Sequence, residues 1–213
     1  LIPDATARLL HSRIPSAPTV GMATLSEMAK TLPDAAALLP AAIDFAAIGY
    51  ACTSGATVLG EDRVASMIRA AHPSAKVTNP LSALKAAAAG LGIKRLALLS
   101  PYVAEVSNAL IAALEAAGIE IVRLISFDEE NESAVARIAG ASIQAGLKAA
   151  AAGAGADAVF ASCTKLRAVD VLEAAESDLG LPVLASNQVL AWHMQRLAGI
   201  GGALAGMGRL GRN

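Results

Sequence analysis

The sequence predicts an α/β fold of two similar lobes, each with a parallel sheet flanked by helices, and an active site in the cleft between them. Short apolar segments typical of buried strands alternate with helical segments along the chain, which is the pattern of βαβ units. Two of these strands end alike, in Cys52-Thr53 and in Cys163-Thr164. Because ligands bind at the carboxyl ends of strands in open α/β sheets, we expect the two cysteines to face one shared cleft.

The first half of the chain carries the signals of three strands and of the helices between them. Side chains alternate from Leu9 to Ile14 ahead of Pro15, which predicts a strand that the proline ends. Thr24 is a candidate cap for a helix, and Pro33 is expected to interrupt that helix. The other predictions for this half are strands over 43–50 and 76–78 and helices over 35–39, 61–71 and 81–89.

The second half repeats the alternation of strands and helices. Gly90 and Gly92 end the preceding helix, and Gly118 is the expected stop of the next one. Predicted strands cover 96–99, 119–125, 159–161 and 182–185, and predicted helices cover 103–117, 134–152, 170–178 and 188–197. The glycine-rich tail from Gly199 is predicted to be irregular.

These elements predict two lobes that divide near Gly90. The first lobe covers residues 1–91 and is joined by a C-terminal helix over 187–213, and the second lobe covers 92–186. The strand over 9–14 is expected to be the second of its sheet. The first lobe is therefore predicted to lack its first strand, which would lie upstream of Leu1.

Composition excludes several classes of partner. The 17 basic and 18 acidic residues are balanced, so no basic surface predicts nucleic-acid binding. No stretch of about 18 apolar residues is free of charges or turns, so we expect no membrane span. No secretory signal is visible, and the two cysteines do not form a disulfide scaffold, so we expect a reduced, cytoplasmic enzyme. No metal site is expected, because the cysteines form no C-x-x-C pair and the three histidines lack ligand spacing.

The two cysteines predict acid–base or nucleophilic chemistry. A cysteine at a helix N-terminus has its thiolate stabilised by the helix dipole, so we expect a lowered thiol pKa. Of two cysteines that face each other, one can act as thiolate base or nucleophile while the other delivers a proton. Thr53, Ser54, Thr164 and nearby backbone N–H groups are neutral donors that suit a carboxylate ligand and the enediolate-like charge formed beside it.

The same residues also have structural interpretations. A free cysteine is commonly a small buried hydrophobic residue, although a repeated Cys-Thr context weakens that interpretation for Cys52 and Cys163. Tyr102 is also compatible with a half-buried tyrosine whose hydroxyl is wet. Asn131 lies in a polar loop, where asparagine is a common turn residue.

At these residues the sequence resembles the aspartate/glutamate racemase superfamily, and within it the branch of maleate cis-trans isomerase and arylmalonate decarboxylase. The resemblance extends over nearly the whole chain. The segments that carry it are Cys52-Thr53-Ser54, Pro101-Tyr102-Val103 with Val106 and Asn108, Asn131, Ser162-Cys163, Pro182-Val183 before Ser186-Asn187, and Gly208-Arg209-Leu210. It implies two pseudo-symmetric lobes, no cofactor, a small carboxylic acid as substrate, and a homodimer or higher homo-oligomer.

The resemblance also implies roles for individual residues. Cys52 would add as thiolate to the double bond of maleate, and Cys163 would supply and recover a proton. The residues that would hold the carboxylates are Thr53, Ser54, Tyr102, Asn131 and Thr164.

The leading functional hypothesis is a cofactor-independent isomerase that converts maleate to fumarate. The decarboxylases of this branch keep the second cysteine and have glycine at the first position, so the presence of Cys52 favours isomerase or racemase chemistry. The alternatives are a racemase of aspartate, glutamate, hydantoin or a related acid, an arylmalonate decarboxylase-like enzyme, and a small-molecule binding protein whose cysteines are not catalytic.

Overall fold

The computed structural model describes residues 7–212, in which six strands form two parallel sheets. Residues 1–6 and 213, at the ends of the predicted first lobe, lie outside the described residues. The strands are β1 (Ala47–Gly49), β2 (Lys76–Thr78), β3 (Arg95–Ser100), β4 (Glu120–Ser126), β5 (Ala158–Ala161) and β6 (Val183–Ala185).

Ten α-helices connect and flank these strands in the described part of the chain. They are α1 (Met22–Ala37), α2 (Thr53–Leu59), α3 (Glu61–Arg69), α4 (Pro80–Leu91), α5 (Ala104–Glu115), α6 (Glu132–Val135), α7 (Gly140–Ala151), α8 (Leu172–Leu179), α9 (Ser186–Leu197) and α10 (Gly208–Gly211). A 3₁₀-helix over Ala168–Val171 precedes α8. None of the described helices combines the length and hydropathy needed to cross a bilayer.

The two sheets differ in size. The first sheet contains β1 and β2, and the second has the strand order β4-β3-β5-β6, with all pairs parallel. Parallel pairing places the carboxyl ends of the paired strands at the same edge of their sheet. The predicted fold class, with parallel sheets flanked by helices in two lobes, is confirmed.

The second sheet is the better buried of the two. In β5 every residue is buried, and in β3 every residue after Arg95 is buried, as expected for parallel strands covered on both faces. Leu98 and Phe160 pack with α4, α5 and α9 on one face, while Leu99 and Val159 pack with α7 and α8 on the other. Each such side chain contributes about 1.5–3 kcal/mol of transfer free energy on burial.

Helix α9 returns from the second sheet to the first. Its residue Met194 lies so close to Gly49 that a Cβ there would be 2.5 Å from the Met194 sulfur. A glycine in β1 therefore lets the helix approach the strand closely. The division of the chain at 91/92 and 186/187 stays a prediction.

The predicted strand over 9–14 is wrong. Residues 7–17 form no strand in the structure and run instead as an extended arm along the wall of a cavity. One side-chain bond that anchors the arm joins Ser12 Oγ to the carbonyl of Ala35, at 2.6 Å. Alternating side chains alone do not make a strand, because the backbone also needs a ladder partner.

Three other elements differ from expectation. Pro33 does not interrupt α1, which continues to Ala37; the proline removes one backbone donor without ending the helix. The predicted helix over 134–152 is two helices, α6 and α7, with Ala139 in an extended conformation before the second. The strand predicted over 43–50 is ordered as a ladder only over Ala47–Gly49.

Candidate active site

Cys52 lies where β1 ends and α2 begins. It is the N-cap residue of α2, with an extended backbone, and its Sγ accepts a hydrogen bond from the backbone N–H of Gly55 at 3.3 Å. The Ser54 Oγ lies 3.7 Å from the same sulfur. A Cβ at position 55 would lie 2.3 Å from the Tyr50 hydroxyl, so only glycine lets this turn pack beneath the thiol.

Cys163 has a different local structure. It follows β5 by one residue, its φ of 95° lies in the left-handed region, and its backbone N–H donates to Ser186 Oγ at 3.0 Å. The next helical element begins only at Ala168. The expectation that both cysteines start helices therefore holds for Cys52 and is wrong for Cys163.

Both thiols line one cavity of about 910 Å³. Both cysteines are free. The other predicted site residues that line this cavity are Thr53, Ser54, Tyr102 and Thr164. The structure thus brings six of the seven predicted residues to one cavity, while the roles assigned to them stay predictions.

Asn131 is the predicted residue that lies outside the cavity lining. It is exposed, and its Oδ1 accepts hydrogen bonds from the backbone N–H groups of Ser133 and Ala134 at 3.0 Å each. The side-chain oxygen therefore caps α6. Its substrate-binding role stays a prediction, and this geometry places its oxygen against the helix.

Tyr102 is a buried tyrosine beside the thiols. It is 2% exposed and forms hydrogen bonds with the side chains of Cys163 and Ser54. Burial raises the Tyr102 pKa well above its ordinary value, and negative charge on Cys163 or Cys52 raises it further. The phenol is therefore a neutral donor throughout the physiological pH range.

The expectation of a lowered thiol pKa is wrong for both cysteines. Burial raises the pKa of the Cys52 thiol; the Gly55 N–H and Ser54 lower it, and the charge of Glu132 raises it. Burial also raises the pKa of the Cys163 thiol, and the hydrogen bond from Tyr102 lowers it. Desolvation outweighs the few donors around each sulfur, so each thiol is mostly protonated at neutral pH.

Hydrogen bonds join the surroundings of the two cysteines. Thr53 Oγ1 donates to Ser186 Oγ at 2.8 Å, and the same Ser186 oxygen accepts from the N–H of Cys163. Thr164 Oγ1 donates to the carbonyl of Ala51 at 3.0 Å. We call Thr53, Ser186, Thr164 and these bonded backbone groups the cleft floor. It fixes the two strand ends relative to each other.

Sequence reasoning missed three residues of this region. Glu132 and Lys165 also line the cavity and form an ion pair of 2.7 Å. Ser186 was part of the Ser-Asn segment that carried the resemblance, but its role as the shared acceptor depends on contacts with residues 23 and 133 positions away. The available signal for Lys165 was its place directly after Cys163-Thr164. Among the described residues, no group of three or more His, Cys, Asp or Glu side chains is placed to hold a metal ion.

Comparison with known proteins places the chain among related enzymes. Residues 60–211 match the model of the arylmalonate decarboxylase family. The maleate isomerase of Nocardia farcinica is 26% identical over 168 residues, which cover 76% of this chain and 67% of that protein. The arylmalonate decarboxylase of Bordetella bronchiseptica is 33% identical over 123 residues, which cover 56% of this chain and about half, 51%, of that protein.

Solved structures show the same fold. The maleate isomerase of Pseudomonas putida S16, with maleate, has a TM-score of 0.84 at 18% identity and covers 92% of this chain and 80% of its own. The Nocardia farcinica maleate cis-trans isomerase has a TM-score of 0.82 at 26% identity, with coverages of 91% and 81%. A crystal structure of arylmalonate decarboxylase has a TM-score of 0.77 at 26% identity, with coverages of 88% and 83%. These similarities confirm the branch that the sequence predicted.

Proposed function

The chain belongs to the arylmalonate decarboxylase family, and from that premise we propose that it is a two-cysteine isomerase that converts maleate to fumarate without a cofactor. The observation that carries the proposal is the position of both free thiols on one cavity, with the Tyr102 hydroxyl bonded to one of them. A decarboxylase of the branch needs one cysteine, whereas thiol addition with proton return uses two.

The cavity offers neutral donors for a small dicarboxylate. The Tyr102 hydroxyl is buried and protonated, and the Ser54 hydroxyl lies beside Cys52. Such donors stabilise the charge that develops when a nucleophile adds beside a carboxylate, because they are fixed before the reaction starts. Thr53 and Thr164 are already bonded to Ser186 and Ala51, so in the proposal they position the site through the cleft floor.

In the first half of the reaction, the Cys52 thiol loses its proton to water, and the resulting thiolate adds to one alkene carbon of maleate. A C–S bond forms, the π bond breaks, and its electron pair moves to the second carbon, where the adjacent carboxylate delocalises it as an enediolate. The Cys163 thiol then gives its proton to that carbon, which leaves a succinyl thioether on Cys52 and a thiolate on Cys163. The Gly55 N–H that bonds the Cys52 sulfur favours the thiolate form before attack.

In the second half, the single bond between the two carbons rotates. The Cys163 thiolate removes the proton again, the double bond reforms in the trans geometry, and the C–S bond breaks to release Cys52 as thiolate, which regains a proton from water. Both thiols return to their starting states, so no oxidant or reductant is consumed. A structure of the Nocardia farcinica enzyme, in a cysteine-to-serine mutant, carries a covalently bound succinylcysteine intermediate, which supports the covalent route.

Proton NMR of maleate in D₂O tests the proposal. We expect the wild-type protein to produce fumarate, and Cys52→Ser and Cys163→Ser each to lower the rate by about 10²- to 10⁴-fold. Circular dichroism of both variants controls for folding. Loss of the α-proton signal of L-aspartate without fumarate from maleate would indicate a racemase, and ligand binding without any turnover would indicate a binding protein.

A decarboxylase is the second candidate, and two observations favour it. The family match begins at residue 60, after Cys52 and before Cys163, and the decarboxylase relative is 33% identical over its matched segment. In this reaction an arylmalonate loses CO₂, and the electron pair of the broken C–C bond delocalises as an enediolate. The Cys163 thiol protonates the carbon, and the thiolate left on Cys163 regains a proton from water.

Phenylmalonate separates the two candidates. A decarboxylase releases CO₂ from phenylmalonate, keeps that activity in Cys52→Ser and loses it in Cys163→Ser. An isomerase loses maleate turnover in both variants. The two cysteine variants, measured with both substrates, therefore distinguish a one-thiol reaction from a two-thiol reaction.

A further inference from the structure

An ion pair lies on the same cavity as the two thiols. Lys165 Nζ is 2.7 Å from Glu132 Oε1, and Glu132 Oε2 accepts a hydrogen bond from Ser16 Oγ at 2.9 Å. All three residues line the cavity together with Cys52 and Cys163. The mechanism above uses none of the three.

The two side chains of the ion pair differ in exposure and in number of partners. The Glu132 side chain is 20% exposed and has a second partner in Ser16, whereas the Lys165 side chain is 42% exposed. A partly exposed ion pair contributes little net stability, because both charges are well solvated when apart. Lys165 can therefore exchange Glu132 for another anion at small cost, while Glu132 remains anchored.

Each member of the pair is connected to one of the cysteines. Lys165 follows Cys163 by two residues, and its backbone N–H bonds the Cys163 sulfur. The charge of Glu132 acts on the Cys52 thiol. A ligand in this cavity therefore shares it with the two cysteines and with the side chain of Lys165.

We propose that Lys165 determines specificity for a substrate with two carboxylates, by leaving Glu132 to bind the carboxylate farther from the buried Tyr102 and Ser54 donors. This assignment rests on the proposed function, because only a dicarboxylate substrate needs a second anion site. A single charge on a flexible side chain suits this task, since a lysine ammonium binds an anion without a fixed geometry.

The proposal predicts opposite effects for the two members of the pair. Lys165→Met removes the cation, so the affinity for a dicarboxylate falls about 10- to 100-fold, as expected for loss of a hydrogen bond to a charged group. Glu132→Gln removes the competing anion, so the affinity rises about 2- to 5-fold. A pair that only stabilised the fold would give losses in both variants.

Calorimetric titration measures these affinities without turnover. The ligands are succinate, a dicarboxylate without a double bond, and butanoate, a monocarboxylate of the same carbon number. We expect Lys165→Met to lower the affinity for succinate and leave the affinity for butanoate unchanged. We expect Glu132→Gln to raise the affinity for succinate only. Lys148→Met is the matched control, because Lys148 forms an ion pair of the same length, 2.7 Å, with Asp178 outside the cavity lining; it should change neither affinity.

Any of three results would overturn the role of Lys165. Lys165→Met would lower the affinities for succinate and butanoate equally, or both Lys165→Met and Glu132→Gln would lower the affinity for succinate. The third result is that Lys148→Met lowers the affinity for succinate as much as Lys165→Met does. Maleate turnover with an unchanged KM in Lys165→Met would overturn the Lys165 assignment and keep the isomerase. The expected succinate pattern without any maleate turnover would overturn the isomerase and keep the dicarboxylate site. A wild-type protein that neither binds succinate nor turns over maleate would overturn both.

Discussion

The two strand ends that carry the cysteines begin from the same sequence signal and reach different structures. Cys52 follows a three-residue strand in a two-stranded sheet, has an extended backbone and caps a helix. Cys163 follows a strand buried in the middle of a four-stranded sheet, has a φ of 95° and precedes a turn. An apolar strand followed by Cys-Thr therefore does not determine the backbone conformation of the cysteine.

The difference shows that the two thiols are positioned by different kinds of contact. Cys52 is fixed locally, by a hydrogen bond from the N–H three residues ahead. Cys163 has local partners as well, the N–H groups of Lys165 and Leu166 at its sulfur, but it also depends on distant groups, the Ser186 hydroxyl at its backbone and the Tyr102 hydroxyl at its sulfur. The first strand end can form with its own helix, while the second depends on the assembled cleft.

The largest expected effect comes from removing the group that both strand ends share. Ser186→Ala leaves the Thr53 hydroxyl and the Cys163 N–H without their buried acceptor, and an unsatisfied buried group costs about 1–3 kcal/mol. We expect a loss in the free energy of unfolding of that size in urea denaturation, together with at least a tenfold loss of turnover, since the relative position of the thiols depends on this bond. Ser177→Ala, at an exposed position, is the control. A stable Ser186→Ala protein with full activity would show that the strand ends are independent.

Glycine and alanine substitutions at the two cysteines test whether their backbones differ in strain. At Cys163 the left-handed φ strains any residue with a Cβ, so Cys163→Gly should be more stable than Cys163→Ala by about 1 kcal/mol. At Cys52 the backbone is extended and carries no such strain, so the corresponding difference comes only from the preference of an N-cap for glycine over alanine and should be smaller, about 0.5 kcal/mol. Urea midpoints of the four variants measure both differences. Equal differences at the two sites would contradict the contrast in backbone strain.

The pH dependence of thiol alkylation separates the two sulfurs. Each cysteine is measured in a variant in which the other cysteine is replaced by serine. Glu132→Gln should lower the pKa of Cys52, because it removes a negative charge that disfavours the thiolate. Tyr102→Phe should raise the pKa of Cys163, because it removes a donor that favours the thiolate. Iodoacetamide rates measured against pH give each pKa. If Glu132→Gln shifted the pKa of Cys163 as much as the pKa of Cys52, the environments of the two thiols would not be distinct.

The smallest effect is expected at the amino end of the second sheet, away from the cleft. Asp157 Oδ2 accepts hydrogen bonds from the N–H groups of Lys94 and Arg95 at 2.9 and 2.8 Å, and these bonds lower the Asp157 pKa. The folded pKa is below the unfolded value of about 3.9, so this stabilisation is present above about pH 4 and is lost as pH falls through the folded pKa. In thermal melts at pH 6, the Tm of Asp157→Asn should be slightly below that of the wild type, and this difference should narrow towards pH 3. A difference that does not change with pH would mean that the charge of Asp157 contributes nothing.

The sequence was sufficient where structure depends on local pattern or on parallel topology. The predicted strand over 76–78 is β2, Lys76–Thr78, and the buried runs in β3 and β5 were recognised because both faces of a parallel strand are apolar. Each cysteine lies at the carboxyl end of a strand in its own parallel sheet, as predicted, and both cysteines line one cavity.

The remainder depends on contacts between distant residues. The left-handed conformation of Cys163 involves Ser186, 23 positions away, and the ion pair joins Glu132 to Lys165 across 33 positions. The arm over 7–17 alternates like a strand yet forms no ladder in the structure. The pKa of the thiols follows burial, which depends on how the whole cleft packs and cannot be obtained from a helix start alone.

The cleft floor has a consequence for how the substrate enters and leaves. Two side-chain hydrogen bonds join the strand ends, the buried bond from Thr53 to Ser186 and the exposed bond from Thr164 to the Ala51 carbonyl, so the strand ends cannot separate there without breaking both. Another wall of the cavity, at Val20 and Glu132, is closed by backbone hydrogen bonds: the Val20 N–H donates to the Glu130 carbonyl at 2.8 Å, and the Glu132 N–H donates to the Pro18 carbonyl at 2.9 Å. We expect the substrate to enter and the product to leave through this wall, while the distance between the two sulfurs stays constant.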